Sequence, residues 1–192
     1  HHVGRYPRSP LCRRGVVFSE CSHGSGGIEM SSADLDMLAA AVLETCRAAG
    51  LMVATAESCT GGLIAGALTE VAGSSDVVER GFVTYSDYAK QTLLGVPTSL
   101  FDTVGAVSKE VALAMAEGAM ARSEAQLAVS VTGIAGPGGG TETKPVGLVH
   151  MAIAREGREI ADFRDVFPGD RSDVRAATVV AALQRLRAAA VG

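Results

Sequence analysis

The stretch L-M-V-A-T-A-E-S-C-T-G-G, residues 51–62, decides the fold of this chain. Its first half, residues 51–56, is a short apolar run that predicts a buried β-strand. The Thr60-Gly61-Gly62 segment then predicts the opening of a helix. Polar residues therefore lie where a strand gives way to a helix. Because ligands of open α/β sheets bind outside the carboxyl ends of the strands, we expect a functional site at this junction.

Helices and short buried strands alternate on both sides of this stretch. Periodicity and capping residues predict helices over residues 33–49 (capped by Ser32), 60–71, 86–95, 108–122 and 171–190 (capped by Asp170). Strands are predicted over residues 51–56, 77–85, 127–131, 146–154 and 159–167, with residues 99–104 as a connector. The alternation predicts an α/β fold, a three-layer α/β/α sandwich around a mixed, mostly parallel sheet.

Composition places the chain among ordinary globular proteins of one domain. It has 192 residues, of which 47% are hydrophobic, and a net charge of −4 at pH 7. The apolar fraction argues against disorder, and a mildly acidic chain gives no electrostatic reason to bind nucleic acid. No apolar run reaches the roughly 18 residues of a transmembrane helix, so no membrane association is expected.

The first 29 residues differ from the rest of the chain. They combine several Arg, Gly and Pro residues with no sustained periodicity, and Met30 followed by two serines resembles a natural start. We expect residues 1–29 to be a disordered upstream extension or an expression remnant, and residues 30–192 to form the folded domain. The alternative for this segment is a short strand around residues 15–19.

The four cysteines indicate a reduced, cytoplasmic protein. Cys12, Cys21, Cys46 and Cys59 form no C-x-x-C pair, and their spacing matches no zinc template. No metal and no cofactor are expected.

Ser58 is the first candidate catalytic residue. It lies in the predicted turn from strand to helix, where its hydroxyl would stand near free helix N–H groups that stabilise an oxyanion or bind phosphate. The alternative is that Ser58 or Thr60 merely caps the helix. Beyond residue 29 the only histidine is His150, within a predicted strand, so a Ser-His-Asp triad is not expected.

The second polar segment is G-F-V-T-Y-S-D-Y-A-K, residues 81–90. It places Tyr85 at a strand end and Lys90 about one turn into the next helix. Lysine is scarce, with Lys109 and Lys144 the only others, and a desolvated lysine can lose its proton and act as a base. The alternative is a solvated surface lysine.

The third segment, residues 130–147, contains a glycine loop. Gly136, Gly138, Gly139 and Gly140 leave backbone amides unobstructed, so the loop can wrap a phosphate or a carboxamide. It matches neither a Walker loop nor a dinucleotide fingerprint. Thr132, at the preceding strand end, is a candidate for orienting substrate. The alternative is a flexible surface turn.

These segments together resemble one known family. T-A-E-S-C-T-G-G, V-T-Y-S-x-x-A-K followed by L-L-G-V, and T-G-I-A-G-P-x-G-G with K-P-V-G are similar to motifs of the CinA C-terminal domain family. The resemblance covers residues 33–190. It implies an amidohydrolase that converts nicotinamide mononucleotide to nicotinate mononucleotide and ammonia in pyridine-nucleotide recycling. It makes Ser58 the nucleophile and Lys90 its base, with Tyr85 and Thr132 in the same site.

The implied mechanism also assigns substrate-binding residues. Helix N–H groups near Thr60, Gly61 and Gly62 are expected to hold the oxyanion. The glycine loop would hold the ribose phosphate, helped by a cation. The residues assigned to this second role are Gly133, Gly136, Gly138, Gly139, Lys144 and Arg171.

One departure from the family is visible at Asp87, where the family more often has Asn. A carboxylate there could repel a phosphate or tune Lys90. Full-length family members carry a further N-terminal domain, related to molybdopterin-binding folds, which this chain is too short to contain, so the stand-alone form is expected. The alanines and glycines on the predicted helices would permit close packing between subunits, and a homo-oligomer is expected.

Two other functions remain open at this level. One is a non-catalytic nucleotide-binding module, or an interaction module associated with competence or DNA damage, which needs the glycine loop but no reactive serine. The other is hydrolysis of a different amide.

Overall fold

The computed structural model describes residues 31–191, and the expectations for residues 1–29 lie outside them. The described part contains six α-helices, five strands and a short 3-10 helix at Ser74–Asp76. The helices are α1 Ser32–Ala48, α2 Leu63–Glu70, α3 Asp87–Leu94, α4 Thr98–Thr103, α5 Lys109–Ala121 and α6 Arg171–Val191. The strands are β1 Val53–Glu57, β2 Val78–Val83, β3 Leu127–Gly133, β4 Leu148–Arg155 and β5 Ala161–Val166.

The strands form one mixed sheet in the order β2-β1-β3-β4-β5. The strand β1 pairs in parallel with both β2 and β3, whereas β3–β4 and β4–β5 are antiparallel. The register places Glu57 beside Val83 on one side and Val131 on the other. The polar segments that follow β1, β2 and β3 therefore emerge at the same edge of the sheet, as the sequence predicts.

Helices cover both faces of the sheet and complete the predicted three-layer sandwich. On one face, α1, α2 and α6 pack on one another and close a core containing Val53, Leu127 and Leu183. On the other face, α5 packs on β1, β3 and β4, with α3 and α4 beside it. All five residues of β1 are buried, as expected for a central parallel strand covered on both sides.

Local capping explains where two helices begin, and it corrects one prediction. The cap of α1 is Ser31 rather than Ser32, because the Ser31 hydroxyl accepts the Asp34 N–H at 3.2 Å while Asp34 accepts the Ser31 N–H at 3.0 Å. The predicted Asp170 cap is present, since its carboxylate accepts the N–H groups of Ser172 and Asp173.

The segment predicted as a connector, residues 99–104, is largely the short helix α4. None of its residues is buried, so the sequence carries no apolar periodicity that would reveal it. No helix within residues 31–191 has the length and apolarity needed to cross a bilayer.

Candidate active site

A cavity of about 200 Å³ lies where the segments after β1, β2 and β3 converge. The four predicted catalytic residues, Ser58, Tyr85, Lys90 and Thr132, all lie in its wall. The remaining wall residues are Cys59, Asp87, Ala106, Val107, Gly133, Ala135 and Arg171. The structure thus brings together side chains up to 113 positions apart in the sequence, between Ser58 and Arg171.

Ser58 directly follows β1 and is fixed by the neighbouring strand. Its N–H donates to the carbonyl oxygen of Val131 on β3 at 3.1 Å, which extends the β1–β3 ladder by one residue. The residue is only 9% exposed. The β-sheet therefore holds the Ser58 backbone in place at the wall of the cavity.

Lys90 is almost completely buried, with an exposed fraction of 1%. Its Nζ donates to the carbonyl oxygen of Thr84 at 3.0 Å, and Asp87 Oδ1 lies 4.0 Å away. Burial lowers the pKa of Lys90, and the charge of Asp87 opposes that shift. The solvated alternative is therefore wrong. Within residues 31–191 no hydrogen bond joins the Ser58 hydroxyl to the Lys90 amine, although both residues line the same cavity.

Arg171, which lies in the cavity wall, joins the segment after β2 to the glycine loop. One of its nitrogens, Nη2, donates to the Tyr85 hydroxyl at 2.7 Å, and Nη1 donates to the carbonyl oxygen of Gly136 at 2.9 Å. Tyr85 itself is 62% exposed, so this pair stands at the open side of the cavity. Thr132 donates its hydroxyl to the carbonyl oxygen of Ala106 at 2.8 Å, which joins two further residues of the cavity wall.

Cys59 is a free, buried thiol beside the candidate nucleophile. Burial raises the pKa of Cys59 to about 11. A thiol with that pKa is protonated at neutral pH and is a poor nucleophile, because the thiolate is the reactive form.

Glu57, which the sequence analysis missed, is a fully buried carboxylate at the end of β1. Its Oε1 accepts the Thr60 hydroxyl at 2.7 Å and the Ile64 N–H at 2.9 Å. Its Oε2 accepts the Thr55 hydroxyl at 3.2 Å and the Ala65 N–H at 2.9 Å. The negative charge therefore sits at the N-terminus of α2, which favours it. A glutamate between a buried strand and a predicted helix start is the signal that could have revealed this role.

Arg175 was also missed. Its Nε donates to the carbonyl oxygen of Cys59 and its Nη2 to that of Thr60, both at 3.1 Å. The contact joins α6 to the turn after β1. The residues are more than a hundred positions apart in the sequence, so no local sequence pattern predicts the contact.

Several predicted substrate-binding residues have other partners or lie elsewhere. The Gly61 N–H donates to the carbonyl oxygen of Ser58 at 3.0 Å, so this amide is not free for an oxyanion. The Thr60 hydroxyl is held by Glu57, and Lys144 donates its Nζ to the carbonyl oxygen of Val104. The predicted residues that do not line this cavity are Thr60, Gly61, Gly62, Gly136, Gly138, Gly139 and Lys144.

Gly62 instead lines a second cavity, of about 470 Å³, among α1, α2 and α6. None of the predicted catalytic residues lies in its wall. In the part of the chain that the structure describes, no group of three or more His, Cys, Asp or Glu side chains is arranged to hold a metal ion.

Fold and site together define a class: an α/β/α protein with a buried serine and a buried lysine in one cavity at the carboxyl ends of its parallel strands. The chain belongs to the CinA C-terminal domain family, whose model matches residues 35–190. The competence/damage inducible protein CihA from Agrobacterium tumefaciens has a similar structure, with a TM-score of 0.79 and 51% identity. That match covers 85% of this chain and 98% of the other.

Two further relatives differ in length. Nicotinamide-nucleotide amidohydrolase PncC from Shigella flexneri is 46% identical over 157 residues, which are 82% of this chain and 95% of that protein. A CinA-like protein from Mycobacterium sp. (strain JLS) is 46% identical over 180 residues, 94% of this chain. This chain spans only 42% of the mycobacterial relative, so the activities of such longer proteins do not transfer to it directly.

Proposed function

We propose that this protein hydrolyses nicotinamide mononucleotide to nicotinate mononucleotide and ammonia, as a step of pyridine-nucleotide recycling. One observation carries the proposal: a lysine that is 1% exposed shares a cavity with the serine that directly follows β1. The Shigella flexneri relative, a nicotinamide-nucleotide amidohydrolase that matches over nearly its whole length, supports the choice of substrate.

Acylation begins with the neutral form of Lys90. The amine takes the proton of the Ser58 hydroxyl as the serine oxygen attacks the carboxamide carbon, and the carbonyl oxygen becomes an oxyanion. The resulting Lys90 ammonium then gives its proton to the leaving nitrogen, and ammonia departs. A water molecule activated by Lys90 attacks the ester carbon, which frees the Ser58 oxygen and leaves the nicotinate carboxylate.

The oxyanion is assigned to the backbone amide of Cys59. Cys59 lines the cavity, and its N–H donates to no other residue within residues 31–191. The amides of Ile64 and Ala65 at the start of α2 are already bonded to Glu57 and are not available. The donor therefore comes from the turn itself and not from the helix.

Arg171 is assigned to the phosphate of the substrate. Its guanidinium lies in the cavity wall and is held by Tyr85 and Gly136, so it presents a fixed cation at the open side. Arginine binds phosphate in a bidentate manner, which suits this position. Tyr85 is assigned to stacking on the pyridine ring, and the exposure of its ring at the same opening supports this role.

The substrate assignment predicts a phosphate requirement. The purified protein is expected to release ammonia from nicotinamide mononucleotide, and kcat/KM for nicotinamide riboside is expected to be lower by about tenfold or more because the riboside offers Arg171 no phosphate. A coupled ammonia assay on both substrates measures the ratio. Tight binding of the mononucleotide without ammonia release would instead favour a nucleotide-binding module, and release from another amide alone would move the activity to that substrate.

The pH profile is predicted to depend on Asp87. Because only neutral Lys90 accepts the serine proton, kcat/KM is expected to rise with pH through the pKa of Lys90. The charge of Asp87 raises that pKa, so Asp87→Asn is expected to lower it further and to move the rising limb to lower pH, with the plateau kcat in the same order of magnitude. Rate–pH profiles of the two proteins measure the shift.

An exposed carboxylate on α4 provides the control for this prediction. Asp102 is not among the charges that act on Lys90, so Asp102→Asn is expected to leave the profile in place. The Asp87→Asn shift is expected to shrink at high salt, because Asp87 is about half exposed and its charge is screened. If the rising limb of the kcat/KM profile moved to higher pH in Asp87→Asn, this result would contradict Lys90 as the titrating base.

A further inference from the structure

The Glu57 carboxylate divides its hydrogen bonds evenly between two parts of the chain. Each oxygen accepts one threonine hydroxyl and one N–H from the first turn of α2. The Oε1 side reaches Thr60, in the turn that follows Ser58, whereas the Oε2 side reaches Thr55, within β1. Glu57, Thr55 and Thr60 are all fully buried, so water cannot replace a lost partner easily.

The same turn is also held by Arg175. The guanidinium donates to the carbonyl oxygens of Cys59 and Thr60, and the Gly61 N–H closes the turn onto the Ser58 carbonyl. Thr60 is therefore held by two groups of opposite charge, its side chain by Glu57 and its backbone carbonyl by Arg175. A short turn gripped in this way has little freedom to reorient its remaining N–H groups.

We propose that Glu57 is a positioning residue that acts through Thr60 to hold the Ser58–Gly61 turn in its reactive conformation, with Arg175 as the second contact that fixes the turn. The inference rests on the proposed function, since it takes Ser58 as the nucleophile and the Cys59 amide as the oxyanion donor. Displacements of about 1 Å in such groups can cost on the order of a hundredfold in rate, so a group that fixes the turn affects catalysis without touching substrate.

The geometry also separates this role from simple stabilisation of the fold. A carboxylate that only capped α2 would need the N–H groups of Ile64 and Ala65, but not the Thr60 hydroxyl. The Thr60 contact is the shortest of the four, at 2.7 Å, and it is the one that leads to the nucleophile. Thr55 donates to the same carboxylate without belonging to the turn, and it provides an internal comparison.

The test compares Thr60→Val with Thr55→Val. Both changes are nearly isosteric, both occur at fully buried positions, and each removes one hydroxyl from Glu57. The two variants are expected to lose similar amounts of thermal stability. For ammonia release, kcat of Thr60→Val is expected to fall about tenfold or more with KM nearly unchanged, whereas kcat of Thr55→Val stays within about twofold of wild type. Thr60→Ser, which restores the hydroxyl, is expected to recover most of the rate.

A second measurement does not depend on the identity of the amide. The rate at which a fluorophosphonate phosphonylates Ser58, with loss of fluoride, is followed by intact mass. It is expected to fall in Thr60→Val and Glu57→Gln but not in Thr55→Val. In both Thr60→Val and Glu57→Gln, the midpoint of the profile of kcat/KM against pH is expected to stay in place, because Glu57 is not among the charges that act on Lys90.

The outcomes separate the inference from the function on which it rests. Equal kcat and equal labelling rates in the two valine variants would overturn the positioning role while leaving the hydrolase intact. A rise in KM without a fall in kcat in Thr60→Val would also overturn it. If the wild-type protein releases no ammonia from the mononucleotide but is labelled at Ser58, only the proposed substrate is wrong. The labelling rates of the two valine variants then decide the positioning role.

Discussion

Ser58→Ala is expected to lower kcat for ammonia release from nicotinamide mononucleotide by about a thousandfold or more. Alanine has no oxygen that could form the acyl-enzyme, so only direct attack by water on the bound carboxamide remains. KM is expected to change little, because the serine hydroxyl contributes to the transition state more than to substrate binding. Steady-state ammonia release measures the loss, and intact mass after quenching tests for an acylated serine in the wild type.

Ser130→Ala is the matched control for this loss. Ser130 is a fully buried serine on β3, and its hydroxyl donates to the carbonyl oxygen of Ala112 at 2.6 Å, away from the cavity. Its removal is expected to cost about 1 kcal/mol of the free energy of unfolding and to leave kcat unchanged. Near-wild-type turnover in folded Ser58→Ala would contradict the assignment of the nucleophile. Loss of turnover in Cys59→Ala, with Ser58→Ala active, would transfer that role to the thiol.

The sequence predicts the part of the site that follows from strand order. Ser58, Tyr85 and Thr132 each stand at or just beyond the end of a strand, and Lys90 lies one turn into the helix that follows. Because β1 is parallel to both β2 and β3, those strand ends meet at one edge, and local patterns suffice to bring the four residues together.

The parts of the site that the sequence does not predict depend on contacts across the chain. Arg175 contacts the turn after β1 from α6, and Lys144 donates a hydrogen bond to the carbonyl oxygen of Val104. From the sequence alone, a lysine beside a glycine-rich loop is predicted to bind phosphate. The structure shows that Lys144 instead donates to a backbone carbonyl. Glu57 is missed for a different reason, since burial of a carboxylate is revealed only by the four donors that surround it.

The same limit explains why the oxyanion assignment changes between sequence and structure. A helix that follows a strand offers free N–H groups in general, and the sequence therefore favours the start of α2 as the anion site. Here Glu57 already supplies that anion from within the protein, at Ile64 and Ala65. The position of a helix is predictable from local pattern, but the partner of its N-terminus is not.

Lys90→Met is expected to lower kcat by about a hundredfold to ten-thousandfold, the usual contribution of a general base. Methionine has nearly the same length and no proton-accepting nitrogen, so the rising limb of the pH profile is expected to disappear together with the rate. Lys109→Met is the control: Lys109 is 53% exposed, pairs with Asp162 at 2.7 Å and lies outside the cavity wall, so turnover is expected to be unchanged. A Lys90→Met protein that keeps both the rate and its pH dependence would contradict the base assignment.

The buried amine also makes a second, independent prediction about stability. Because burial lowers the pKa of Lys90 below its ordinary value of 10.5, the unfolded chain binds more protons than the folded protein between the two pKa values, and the free energy of unfolding rises with pH across that interval. Below the folded pKa the full cost of charging a buried amine is present. The free energy of unfolding of Lys90→Met is therefore expected to exceed that of wild type most at low pH. This difference is expected to shrink as pH approaches 10.5.

Urea unfolding of both proteins over a pH series measures this difference. The part of the lost hydrogen bond from Lys90 to the Thr84 carbonyl that does not depend on protonation displaces the difference curve without changing its slope, and the part that does is contained in the folded pKa of Lys90. The slope of the difference curve against pH therefore reports the shift in the pKa of Lys90 between the unfolded and folded states. A flat difference curve would mean that Lys90 has the same pKa folded and unfolded, and a lysine with an ordinary pKa could not serve Ser58 as a neutral base at physiological pH.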